Sequence, residues 1–95
     1  MNIRTLHTQE KPVSAISLFK TEQSNATSIE ILSGAQLKEH ITKTPALLIC
    51  IIGNVIFENE QGIKEELHSG DYIHIEPMVK HWVDARIDSQ LVLFK

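Results

Sequence analysis

The chain has 95 residues, 42% of them hydrophobic, which is enough for one small core and no second domain. Nine Lys and Arg against 12 Asp and Glu leave a net charge of −3, which argues against general attraction to nucleic acid or an anionic membrane. A single cysteine, Cys50, excludes an internal disulfide framework and a Cys-rich zinc site. The longest apolar run, Ala46 to Ile52, is far short of a membrane span, and Met1 to Pro12 holds no secretory h-region. These features predict a soluble, cytoplasmic domain without a nucleic-acid or membrane partner.

The elements read as short strands separated by turns. Residues 1–12 are polar apart from Ile3 and Leu6, and predict a loose N-terminal arm ahead of a domain over 13–95, or an edge strand that needs a partner. Ala15 to Phe19 is the first strand. The polar stretch Thr21 to Ala26 breaks it. Thr27 to Leu32 alternates Ile29 and Ile31 against Ser28 and Glu30, and Ser33-Gly34 turns. Gln36 to Thr42 sets Leu37, Glu39 and Ile41 on one face and Gln36, Lys38, His40 and Thr42 on the other.

Ala46 to Ile52 has no polar face, as expected of a strand buried on both sides. Gly53-Asn54 interrupts it. Val55 to Glu58 and Ile63 to Leu67 flank the hairpin signal Asn59-Glu60-Gln61-Gly62. His68-Ser69-Gly70-Asp71 turns again. Tyr72 to Ile75, Trp82 to Ala85 and Gln90 to Phe94 complete the series. Short strands with turns at this rhythm predict an all-β sandwich or barrel with little or no helix.

Two spaced motifs add to this. The segment Gly70-Asp71-Tyr72-Ile73-His74-Ile75-Glu76-Pro77-Met78-Val79-Lys80-His81 places a Gly-Asp turn, an apolar strand, a Pro turn and a His in fixed order. Upstream, Leu37-Lys38-Glu39-His40 leads into the apolar strand that ends at Gly53-Asn54. In these motifs, over roughly residues 26 to 94, the chain resembles the cupin family. The resemblance implies an all-β double-stranded β-helix, the jelly-roll barrel.

In metal-binding cupins three His and one Glu hold a divalent ion. The matching positions here are His40, Thr42, Ala46 and His81, so two imidazoles remain and the carboxylate is absent. The resemblance therefore implies either a metal-free cavity or one divalent ion (Zn, Fe, Ni or Mn) on His40 and His81 with a reduced ligand set. It also implies a cavity lined by the faces that carry His40, His81, Thr42 and Cys50. Trp82, on the opposite face from His81 by alternation, is either an aromatic wall for a ligand or a core or dimer-contact residue. His74 is expected to face outward. His7 and His68 are expected to be solvated, and Cys50 to be a buried hydrophobe.

Three functions follow from different classes. One is a non-catalytic barrel that binds a small molecule through His40, Thr42, Cys50, His81 and Trp82. Another is a metal-dependent enzyme of dioxygenase or isomerase type. The third is a structural or interaction module, with the barrel used mainly for homodimerisation. Small cupins commonly pair as homodimers, and the apolar residues of Ile3 to Leu6 and Ala15 to Phe19 have no evident place in the core. A homodimer using these segments is expected.

Overall fold

Alternating apolar and polar residues make strands whose two faces need different surroundings. Nine such strands form in the structure, a computed structural model that describes residues 1–95. They are β1 (Val13–Lys20), β2 (Asn25–Ile31), β3 (Gln36–His40), β4 (Ala46–Ile52), β5 (Asn54–Asn59), β6 (Lys64–His68), β7 (Tyr72–Ile75), β8 (His81–Ala85) and β9 (Ser89–Phe94). One sheet has the order β1-β2-β9-β4-β7 and the other β3-β8-β5-β6. Every pairing is antiparallel. No helix is long and apolar enough to cross a membrane.

The inner faces of the two sheets share one core. Ile29, Ile31, Leu48, Cys50, Ile75, Leu91 and Leu93 from the five-stranded sheet meet Val55, Phe57, Leu67, Val83 and Ala85 from the four-stranded one. This is an all-β barrel, as the strand rhythm predicts, in the jelly-roll form that the resemblance implies. All nine expected strands form, most of them a residue or two longer or shifted at the ends.

Two expectations need correction. β4 is not buried on both sides: Ala46, Leu48 and Cys50 are buried, while Leu47, Ile49 and Ile51 on the outer face are half-buried. An apolar composition on both faces says nothing about whether this chain covers the second face. The arm is also not loose at His7. Ile3–Thr5 form a short 3₁₀ turn capped by the Asn2 side chain, and His7 then docks on β1 and β2. Its Nδ1 lies 2.9 Å from Ser14 Oγ and its Nε2 2.8 Å from Ser28 Oγ. Ser28 is buried, and His7 supplies its hydroxyl with a partner.

The junction between β4 and β5 depends on one glycine. Gly53 sits at φ 118°, where L side chains are strained. A Cβ there would lie 2.8 Å from Ser89 Cα and closer still to the Ser89 side chain. Ser89 cannot retreat easily. Its Oγ accepts from Asn54 N at 3.0 Å and donates to Ile87 O at 2.8 Å. Gly53→Ala should therefore cost about 2 kcal/mol or more of stability, from the left-handed backbone and the overlap together. Urea denaturation checks this, and a midpoint equal to that of the unsubstituted protein would contradict it.

Candidate functional site

β3 and β8 bring the two motif histidines together. Simple alternation puts His40 on the face opposite Leu37. In the structure Leu37 pairs with Val83 and His40 with His81, so β3 fits one more residue than β8 between the two pairs. This bulge lets Leu37 and His40 both turn inward. The loops hold the arrangement from outside. Met78 N donates to Thr42 O at 2.8 Å, which ties the turn before His81 to the segment after His40. Met78 takes φ 64° directly after Pro77, the conformation a tight Pro-led turn demands at its next position.

The Gly-Asp turn is also built as its residues suggest. Gly70 has φ 92°, and Asp71 Oδ2 accepts from His68 N at 2.8 Å. Gly70 N donates to Cys50 O at 2.7 Å, and Cys50 N donates to Asp71 O at 2.8 Å. The turn is thus anchored on β4, and β7 runs from it toward Pro77 and His81.

At the centre, His40 Nε2 and His81 Nε2 are 3.0 Å apart, although the residues are 41 positions apart in the chain. The ring centroids are 4.1 Å apart at 62°. Phe57 stacks on the His81 ring at 5.7 Å and 24°. His81 is buried and His40 half-buried. His40 Nδ1 lies 3.1 Å from Lys38 O, and His81 Nδ1 lies 3.3 Å from Val79 O.

Proton counting on this geometry is restrictive. A carbonyl oxygen only accepts, so each Nδ1 must carry a hydrogen to use its contact. The Nε2–Nε2 contact needs a third hydrogen. A neutral pair has two, one per ring. A pair with one extra proton satisfies all three contacts, and a doubly charged pair sets two hydrogens against each other. The neutral pair is therefore left one hydrogen short of its contacts.

Burial, then the positive charges of His40 and Lys95, push the His81 imidazole below the ordinary histidine value of 6.5, against an opposing pull from Val79 O.

The other expected site residues divide. Thr42 is buried, and its Oγ1 has no hydrogen-bond partner. Cys50 is fully buried within the core, and burial, reinforced by the Asp71 carboxylate, pushes its thiol up, so it is a packed hydrophobe rather than a nucleophile. Trp82 does not join the histidines. It lies on the outer face of its sheet, where its indole Nε1 donates to Glu58 Oε2 at 2.7 Å. His74 is exposed as expected, and His68 is exposed beside Glu66 and Asp71.

The donor set does not fit a resident metal. Two convergent imidazole nitrogens are present, but no third His, Cys, Asp or Glu joins them. Firmly held ions of the kind imidazole favours need at least three protein ligands. Ala46, at the position of the family's carboxylate, is a buried core residue.

The depressed His81 value has a sign for stability. The unfolded chain takes up this proton near pH 6.5, before the folded chain does. The contribution is therefore fully present above that pH and is lost as pH falls toward the folded value. His81→Gln should remove that part of the slope in denaturation series between about pH 7 and pH 5. An unchanged slope in the variant would contradict the assignment.

No protein-family model matches the chain, and no curated protein matches its sequence. Solved structures match throughout. A cupin superfamily protein from Desulfitobacterium hafniense has a TM-score of 0.87 at 12% identity, over 98% of this chain and 84% of that one. KdgF from Halomonas sp. has 0.78 at 22%, over 87% and 77%. The cupin domain of Cnp3 from Schizosaccharomyces pombe has 0.83 at 13%, over 98% and 69%. At identities of 12% to 22% the likeness is one of fold: the chain has the cupin jelly-roll fold.

Proposed function

We propose that this cupin-fold chain binds a small polar molecule in its barrel, at the end marked by His40, Thr42 and His81, and is not built around a resident metal. The observation that carries this reading is a set of unmet polar needs in an apolar interior. Thr42 Oγ1 is buried without a partner, and the neutral His40–His81 pair is one hydrogen short of its contacts. Buried polar groups in this condition call for a partner, which a bound molecule would supply. His40, the more open of the two rings, is the point of entry. Cys50 contributes only apolar packing, and Trp82 has no part in it.

The competing reading is a divalent-metal enzyme of dioxygenase or isomerase type that works with His40 and His81 alone. The convergence of two Nε2 atoms favours it, and the missing third donor opposes it. A homodimer is proposed along β1, an edge strand with no partner on its outer side. Such edge pairing leaves the outer faces of the sheets uncovered, and sedimentation as a monomer at micromolar concentration would count against it.

Screening a set of small polar molecules by NMR, with metal analysis of the same sample, tests the main proposal. Bound molecules should shift His40 and Thr42 resonances, and His40→Ala should weaken them by about 1–3 kcal/mol. The sample should carry no stoichiometric transition metal. One tightly held ion per chain that is lost in His81→Ala would overturn the reading in favour of the enzyme.

A further inference from the structure

The outer faces of the two sheets differ in kind. On the four-stranded sheet, cross-strand polar pairs cover the surface: Gln36 Nε2 donates to Asp84 Oδ1 at 2.9 Å, and Trp82 donates to Glu58. On the five-stranded sheet, one end of the outer face is apolar. The strand registers align Phe19 with Ala26, Ala26 with Phe94, Phe94 with Leu47, and Leu47 with His74. These five side chains form a single row across all five strands, β1 to β7. With Pro45, Ser24 and Lys95 at its margin, the row floors a groove of about 650 Å³. Phe19 is 64% exposed and Phe94 42% exposed along it.

The groove opens at one end onto a second, polar hollow of about 450 Å³ that shares Ser24, Asn25 and Lys95 with it. Lys20, Lys43 and Lys95 line that hollow, and Glu22 is its only acid. Lys20 and Lys95 are held on either side of Asn25, by the β1–β2 register and by paired backbone bonds between Asn25 and Lys95. None of the three lysines takes part in an ion pair; those of the chain involve Lys64, His68 and Arg86. A local cluster of free cations on a chain of net charge −3 is set against the overall charge. The apolar groove itself contains no acid.

We infer that this outer groove is a binding site for a single-chain fatty carboxylate. The hydrocarbon would lie along Phe19, Ala26, Phe94 and Leu47, and the carboxylate would reach the Lys20–Lys43–Lys95 hollow. The groove volume is in the range of small-molecule sites. A row one side chain wide takes one acyl chain and offers no second track. The charge complementarity selects an anion over a neutral amphiphile, because the lysines that line the hollow take part in no ion pair. The apolar floor is on the opposite side of the sheet from His40 and His81, and the cationic hollow adjoins the barrel mouth, where the charge of Lys95 also acts on His81.

Titration of the full chain with sodium dodecanoate below its micelle concentration, followed by calorimetry and NMR, tests the inference. One dodecanoate should bind per chain. Resonances of Phe19, Leu47 and Phe94 should shift, and those of Gln36 and Asp84 on the outer face of the other sheet should stay in place. The exposed triple variant K20Q/K43Q/K95Q should fold normally and bind about tenfold more weakly. Dodecanol should bind as that variant binds dodecanoate. Leu47→Glu should abolish binding. Absence of dodecanoate binding overturns the inference, as does binding unaffected by both variants. So does a dimer that Leu47→Glu dissociates while dodecanoate has no effect, since the face would then belong to a second copy. Binding confined to anionic vesicles would also overturn it.

Discussion

The site depends on one contact between two rings. His40 and His81 meet at 3.0 Å across an antiparallel strand pair, and each also directs its Nδ1 at a backbone carbonyl. Three contacts compete for the hydrogens of two imidazoles, so the contacts of one ring limit those of the other. The β3 bulge, the Pro77–Met78 turn and the Met78–Thr42 backbone bond all hold this contact in place. Phe57 closes it from the core side. The same burial that restrains the rings makes a charge on His81 costly.

What could be read from the sequence follows the range of the forces involved. The strands and the Gly70–Asp71 turn are set by local alternation and local backbone bonding, and both stand where the residues place them. The pairing of His40 with His81 followed from motif spacing. The inward turn of His40 did not follow from alternation, because one extra residue in β3 inverts the parity, and nothing local marks that bulge. The docking of His7 on Ser28 joins residues 21 positions apart through two hydroxyls that look like ordinary strand serines. Trp82 sits next to His81 in the chain, and the period of two alone sends it to the opposite face, where Glu58 receives it.

The second face of β4 carries a more general point. A run such as Leu47-Leu48-Ile49-Cys50-Ile51 states that both faces prefer apolar surroundings, but not where those surroundings come from. In this chain the inner face finds them in the core, and the outer face is only partly covered. The polar outer face of the other sheet shows that solvent exposure alone would have been met with charged and amide side chains. The interior and the outer groove thus offer opposite chemistry: a few buried polar groups among apolar ones inside, and an apolar floor with a cationic end outside.

The contact between the two imidazoles is the centre of the site. A pH titration of the His81 ring nitrogens and carbons by NMR, in buffer freed of metal and repeated in His40→Ala, tests it most directly. Burial and the neighbouring imidazole predict a His81 transition below the ordinary histidine value, which moves back toward that value in the variant. A His81 transition at the ordinary value, or one that His40→Ala leaves in place, would contradict it.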